Sequence, residues 1–204
     1  MIVDDVGYSD EPSFQDGPIA QAVNYVTKKG VLYFSSAGNG GSYKYNYSSV
    51  WEGDFNPTTS TMTAFVGKKV HNFGTTAKPI IGDSIITVSG DYTLMWADPL
   101  GGSTNDYDLY LISNTGGSVI AQSTNVQTGT QDPFEEISPT TTQDKANYML
   151  VIVQNTGAQN RALRLESHLD GQGSGMKHTT NGGTVGHPAS DSAIGVAASD
   201  ASKY

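Results

Sequence analysis

The stretch Tyr148–Val153, with sequence YMLVIV, is a short run of apolar and β-branched residues that leads into the turn cluster Asn155–Gly157, with sequence NTG. Residues of these types are favoured in strands. Similar runs recur between turn clusters over about residues 43–170, where helical periodicity is absent. This spacing predicts an antiparallel β-sandwich. The other predicted strands are Ser84–Ser89, Tyr92–Trp96, Leu109–Ile112, Val119–Gln122 and Ala162–Ser167.

The composition of the 204 residues agrees with short strands joined by many turns. Charged residues make up only 15% of the chain, and 24 residues are glycine. The formal net charge of -9 argues against nucleic acid or an anionic membrane surface as a partner, since nothing provides a basic footprint. Cysteine is absent, which excludes disulfides, thiolate catalysis and cysteine-ligated metals. No apolar run is long enough to span a membrane.

The first segment, residues 1–42, has a different pattern. A short strand begins at Ile2, and Asp16–Pro18 predicts a helix start with proline in the first turn. That helix is expected to stop at Lys28–Gly30, before the apolar run Val31–Phe34, which has the character of a buried parallel strand. Strand, helix and strand form a βαβ unit. The predicted fold class is therefore an α/β parallel-sheet portion with an inserted antiparallel β-sandwich, β-dominated overall.

Asn39 follows the second of these strands, after the small residues Ser36–Gly38. Ligands of open parallel sheets bind at the carboxyl ends of the strands. A carboxamide fixed there could donate a hydrogen bond to an oxyanion that forms only during acyl transfer. Asn39 and its flanking glycines could equally form an ordinary turn, since both residue types tolerate positive φ.

Three motifs together resemble the subtilisin-like serine peptidases, or subtilases. They are Ser36–Asn39 (SAGN), Gly186–Ala189 (GHPA) and Ala193–Ala198 (AIGVAA). The resemblance implies that Asn39 is the oxyanion donor, and that the His187–Pro188 peptide bond is a good candidate for the cis form. It also implies walls for the substrate cleft, formed by Asp5, Val6, Gly7, Ser36, Ala37, Gly38, Gly186 and His187.

The resemblance covers residues 1–42 and 180–204, and the residues between them are similar to a β-sandwich inserted in some larger subtilases. Within that part, Asp106–Leu111 (DYDLYL) is similar to the pre-peptidase C-terminal domain. The resulting division gives a partial subtilase domain at 1–42, an inserted sandwich at 43–170, and a return to the first domain at 171–204.

The subtilase motifs that hold the catalytic serine (G-T-S-M-A) and histidine (H-G-T) are not found in the sequence. We therefore expect a central piece of a secreted or extracellular serine endopeptidase that acts on polypeptides. Its catalytic Asp, His and Ser would lie outside these residues, so that the piece alone would be inactive and could dimerise through truncated faces. The alternatives are a non-catalytic protein- or glycan-binding sandwich module, or a pseudo-peptidase without a triad.

Several acidic residues have two interpretations each. Asp4 and Asp5 occupy a strand that is uncharged in most subtilases, and Asp5 could bind a basic substrate residue or only stabilise its loop. Asp98, Asp106 and Asp108 are weak candidates for a structural Ca²⁺ site, because calcium takes such oxygen ligands. They could equally satisfy turn backbones. No cofactor is required for the expected activity.

Overall fold

The computed structural model describes residues 1–42, 48–85, 90–114, 117–139, 148–168 and 175–199. This part of the chain contains one α-helix, α1 (Pro18–Thr27), and no helix in it is long and apolar enough to cross a membrane. The strands are β1 (Ile2–Asp4), β2 (Tyr33–Ser36), β3 (Val50–Asp54), β4 (Pro57–Thr59), β5 (Lys69–His71), β6 (Asp83–Ile85), β7 (Asp91–Trp96), β8 (Tyr107–Ser113), β9 (Val119–Ser123), β10 (Phe134–Ile137), β11 (Tyr148–Gln154), β12 (Ala162–His168) and β13 (Ile194–Val196).

Two antiparallel sheets form the larger part of the molecule. One sheet has the strand order β10-β7-β12-β3, and the other has the order β4-β5-β11-β8-β9, with β6 also paired to β11. Their facing side chains form one continuous core around Trp96, Leu111 and Ile152. The two sheets are therefore packed face to face as a β-sandwich.

The alternation along β8 explains why this strand lies at the centre of the sandwich. Tyr107, Leu109 and Leu111 point into the core between the sheets. The intervening residues Tyr110 and Ile112 point to the opposite face, where they pack in a second apolar cluster. Because both faces of β8 are covered, its run of consecutive apolar residues is buried almost throughout.

A small parallel sheet of three strands, in the order β1-β2-β13, lies beside the sandwich. The helix α1 connects β1 to β2 and buries Ala20 and Val23. Its proline start at Pro18 and the left-handed Gly30, with φ of 86°, agree with the predicted boundaries of the helix. The local prediction of strand, helix and strand is thus confirmed.

The predicted α/β fold class is wrong. The structure is almost entirely β, with about 37% strand and 9% helix, and its sheets are mainly antiparallel. No α/β parallel-sheet core of the subtilisin type is evident. The physical reason is that such a core needs a parallel sheet covered on both faces, whereas every residue of β13 and the first two residues of β1 are exposed.

The predicted strands of the sandwich agree with β7, β8, β9, β11 and β12 to within two residues at each end. The strand predicted at Ser84–Ser89 coincides with β6 only in its first residues, and positions 86–89 lie outside the described residues. Four strands were not predicted, namely β3, β4, β5 and β10.

Candidate functional site

A cavity of about 400 Å³ lies where the loop after β1, the end of β2 and the strand β12 meet; we call it the cleft. Seven residues singled out in the sequence line it: Asp5, Val6, Gly7, Ser36, Ala37, Gly38 and Asn39. Two segments separated by the helix α1 thus meet at one cavity.

The parallel register of β1 and β2 brings these two segments together. Val3 pairs with Phe34 and Asp4 pairs with Ser35, so that both strands end at the same edge of the sheet. The chain that follows each strand therefore leaves the sheet side by side with the other. This is the geometry that makes Asp5–Gly7 and Ser36–Asn39 neighbours.

The turn that presents Asn39 is fixed by hydrogen bonds on both sides. Gly38 has a φ of 80°, and its N–H donates to Ser36 Oγ at 3.1 Å. Beyond Asn39, the Gly40 carbonyl accepts from both the N–H and the hydroxyl of Ser49, at 2.8 and 2.9 Å. The Asn39 side chain itself is exposed and makes no hydrogen bond within the described ranges. Its carboxamide is thus held on an anchored turn and is available to a ligand.

A buried polar network lies behind the cleft and contains His187. The Glu11 carboxylate accepts from the His187 backbone N–H and contacts His187 Nδ1, each at 2.6 Å. On its other side, His187 Nε2 lies 3.4 Å from Asp4 Oδ2. Asp4 also accepts hydrogen bonds from the hydroxyls of Tyr33 and Ser35. The network joins β1, β2 and the GHPA turn.

The charges of this network shift two pKa values. Burial acts to raise the pKa of Asp4, but hydrogen bonds from Ser35 and Tyr33, together with the nearby His187, hold it below its ordinary value. Burial, followed by the hydrogen bond to Asp4, raises the pKa of Tyr33 to about 12. Asp4 is therefore an anion and Tyr33 a neutral donor at neutral pH.

In space, the His187 ring lies between the Ser35 hydroxyl and the Glu11 carboxylate, as the histidine of a catalytic triad lies between its serine and its acid. The surroundings of Ser35 nevertheless do not suit a nucleophile. Ser35 is 1% exposed and His187 is fully buried, so that a substrate has no access to them. The Ser35 hydroxyl donates to Asp4 and lies 3.5 Å from His187 Nε2, beyond a good hydrogen bond. This arrangement stabilises the fold and does not attack a carbonyl carbon.

The GHPA turn lines the cleft, but not through Gly186 and His187, the two residues that the subtilase resemblance implies. Gly186 and His187 do not line the cavity, whereas the adjacent Val185 and Pro188 do. Gly186 has a φ of 69°, and a Cβ there would lie 2.4 Å from Glu11 Oε2, so that only glycine fits against this carboxylate. The described residues contain no cis peptide bond, and the prediction of a cis bond before Pro188 is wrong.

The far wall of the cleft comes from the sandwich. Glu166, Ser167 and His168, at the end of β12, line the cavity together with Ser49. Nothing in the sequence pattern indicates this role, because these residues continue an ordinary strand. They reach the cleft because the Ser167 N–H donates to the Ser49 carbonyl at 2.9 Å, next to the turn that holds Asn39.

The three candidate calcium ligands do not meet at one point. Asp98 accepts hydrogen bonds from Ser103, Asn105 and Arg161, which outweigh its burial and lower its pKa to about 2. Asp108 accepts from Tyr110 and Asn155. The described part of the chain holds no group of three or more acidic or histidine side chains arranged for a metal ion. Calcium binding, at Asp106 or elsewhere, stays a prediction.

Comparison with known proteins adds little to this geometry. No protein-family model matches the chain, and no curated protein matches it. Among solved structures, an arabinose-bound MgGH51 α-L-arabinofuranosidase matches at 15% sequence identity with a TM-score of 0.26. The match covers 59% of this chain and 21% of that one. At this similarity it carries no argument about fold or function.

Proposed function

We propose that this chain forms part of the substrate cleft of a serine endopeptidase related in function to the subtilases. One observation carries the proposal: six of the eight residues that the motifs assign to substrate binding, from two separate segments, line a single cavity with Asn39 exposed at the turn. The small side chains of Ser36–Gly38 leave space for a peptide backbone beside that carboxamide.

In the proposed reaction, a serine hydroxyl attacks the peptide carbonyl carbon while a histidine accepts its proton. The carbonyl oxygen becomes negatively charged, and the Asn39 carboxamide N–H donates to it. The segment Asp5–Gly7 holds the extended substrate beside this point. The triad of Ser, His and Asp belongs to segments other than these 204 residues, which agrees with the burial of Ser35 and His187.

The test is Asn39→Ala in the protein that carries this chain together with the catalytic segments. Loss of the oxyanion donor should lower kcat by about 10²–10³ and leave KM nearly unchanged, because the donor acts only in the transition state. Asn160→Ala is the matched control, since Asn160 is exposed and does not line the cleft. An unchanged kcat for Asn39→Ala would remove the oxyanion role.

A second measurement concerns the 204-residue chain by itself. It should hydrolyse no peptide substrate, and measurable peptidase activity would contradict the assignment of the triad to other segments. Secretion, and self-association through the exposed apolar residues of the parallel sheet, such as Val3 and Val196, stay predictions.

A further inference from the structure

His187 is a fully buried histidine to which the proposed reaction gives no role. Its ring lies between two carboxylates: Glu11 Oε1 is 2.6 Å from Nδ1, and Asp4 Oδ2 is 3.4 Å from Nε2. The second oxygen of Glu11 accepts from the His187 backbone N–H at 2.6 Å. Whether both ring contacts are favourable therefore depends on how many protons the ring carries.

Each ring nitrogen of His187 faces oxygens that have no hydrogen to give it. The Ser35 hydroxyl lies 3.5 Å from Nε2, but it donates its hydrogen to Asp4, as does the Tyr33 hydroxyl. An ionised carboxylate only accepts, whereas a neutral imidazole has one nitrogen that must itself accept. Only an imidazolium, which has an N–H on both nitrogens, satisfies the carboxylates on both sides.

The balance of charge leads to the same protonation state. Glu11 is only 7% exposed, and Asp4 is half-buried beside it. Within the described residues, neither carboxylate has a lysine or arginine at ion-pairing distance, and His187 is the partner of both. A buried carboxylate without a cation is costly. A positive charge on His187 removes that cost for Glu11 and Asp4 together.

The remaining elements packed against the GHPA turn are α1, β2 and β13. The helix α1 and the strand β13 carry no carboxylate, lysine, arginine or histidine. From β2, the Tyr33 ring meets the His187 ring edge-on with centroids 6.3 Å apart, and Tyr33 is neutral at neutral pH. The charged groups that face His187 are therefore Glu11 and Asp4.

The two carboxylate contacts of His187 connect three segments that line the cleft. Asp4 is followed directly by Asp5, which lines the cavity, and Glu11 lines it as well. On the third segment, His187 is followed directly by Pro188, another lining residue. The shape of the cleft on this side thus depends on contacts that meet at one buried ring.

We propose that His187 is a positioning residue that acts as a buried imidazolium cation and holds these three segments in place through ion pairs with Glu11 and Asp4. The ion pairs stabilise the cleft below the pH at which His187 loses a proton, and this stabilisation is lost as the pH rises further. The geometry of the cleft is therefore sensitive to pH. This inference concerns the shape of the cleft and does not depend on the reaction that the cleft serves.

The test reads the two ring nitrogens of His187 by ¹⁵N NMR of the 204-residue chain, because protonated and unprotonated ring nitrogens have well-separated chemical shifts. The other histidines are assigned by substitution, so that His187 itself is left unchanged. At about pH 7.5 an unperturbed histidine is charged in roughly a tenth of the molecules. His187 should be charged in more than about nine tenths, with both nitrogens protonated. A single protonated nitrogen, in a neutral tautomer or with the second proton on Glu11, would overturn the inference.

Glu11→Gln removes one ion pair and keeps the size of the side chain. At the same pH it should lower the charged fraction of His187 at least about threefold. Asp10→Asn is the matched control, because it removes an exposed carboxylate from the same loop, and it should leave that fraction unchanged. Asp4→Asn acts on the other side of the ring and should also lower the charged fraction, which decides the matter if Glu11→Gln does not fold. An unchanged fraction in the folded variants would contradict the ion pairs.

The link to the cleft is tested by the backbone amide signals of Asp5–Gly7 and Val185. As the pH is raised from about 6.5 until His187 loses a proton, these signals should change with the same midpoint as the ring signals. In Glu11→Gln both midpoints should move together to lower pH, while the signals of Leu150 and Leu165 in the sandwich core stay constant. If the ring titrates and the cleft amides do not change, His187 has no positioning role. Absence of peptidase activity would not affect these measurements, since they use neither substrate nor catalytic segments.

Discussion

The sandwich and the small parallel sheet bury their apolar residues to very different extents. In the sandwich, Leu150, Ile152 and Leu165 are fully buried between two sheets. In the parallel-sheet region, Leu32 is 58% exposed and Val3 is 66% exposed. Both regions contain strands of similar residue types, but only in the sandwich do two sheets face each other across a shared apolar core.

This difference shows that the two regions are held together by different forces. The sandwich has a continuous apolar core, which is the main stabilising contribution in a domain of this kind. The parallel sheet has little apolar burial beyond Ala20, Val23 and Tyr33, and relies on the polar network of Asp4, Glu11 and His187. The cleft lies between them, so its shape depends on both.

The largest expected effect is on the free energy of unfolding, and one pair of leucine substitutions, one in each region, tests it. Leu150→Ala should lower the free energy of unfolding by about 2–5 kcal/mol, because it leaves a cavity in the core. The matched Leu32→Ala should change it by less than about 0.5 kcal/mol, because that side chain is already hydrated. Urea denaturation measures both, and similar losses in the two variants would break the comparison.

A pH dependence specific to the sandwich is expected from His71. Burial, and then the charge of His178, lower the pKa of His71 to about 4, and its Nδ1 accepts from the Asn56 N–H. An unfolded histidine has a pKa of about 6.5, so below that pH the unfolded state gains a proton that the folded state does not. The contribution of neutral His71 to the free energy of unfolding is therefore complete above about pH 6.5. About 3 kcal/mol of that contribution is lost as the pH falls to 4.

The measurement is urea denaturation across this range for the wild type and for His71→Gln, which does not titrate. The difference between the two proteins isolates His71 from other groups that titrate nearby, such as Asp83, whose pKa is raised mainly by burial. If the free energy of unfolding changes with pH equally in the wild type and in His71→Gln, the neutral state of His71 contributes nothing to stability.

The smallest effect on global stability is expected for Glu11→Gln, which acts on the parallel-sheet region. The change turns one acceptor oxygen into a donor next to His187, so that local opening should become easier by about 1–3 kcal/mol. Backbone amides near the cleft should exchange faster, while the unfolding midpoint of the sandwich stays the same. Asp10→Asn, in the same loop and exposed, should change neither. A large drop in the global midpoint would mean that the two regions unfold as one unit.

Much of the local structure could be predicted from the sequence. The helix is marked by Pro18 and Gly30, and the long sandwich strands are marked by apolar runs such as Tyr148–Val153. The unpredicted strands have no such signal: β3 has sequence VWEGD, β4 has sequence PTT and β5 has sequence KVH. They are strands because their neighbours β5, β11 and β12 offer them a hydrogen-bonding edge, which is a tertiary effect.

The site divides in the same way. The grouping of Asp5–Gly7 with Ser36–Asn39 was expected from the motifs, and the parallel register of β1 and β2 brings them together. The wall formed by Glu166–His168 was not expected, because it depends on how the sandwich is placed against the turn at Ser49. His187 was expected at the cleft, but its pairing with Glu11 holds it in the interior.

The sequence by itself determined where strands, turns and the helix form, because these depend on side-chain period and on the backbone preferences of glycine and proline. It also determined that Asn39 lies in the glycine-flanked turn that follows the strand β2. Only the tertiary structure decided that the chain is almost entirely β, that the Glu11 carboxylate is paired with His187, and that Asp5 and Glu166 line the same cavity. These outcomes depend on contacts between residues far apart in sequence, which no local pattern encodes.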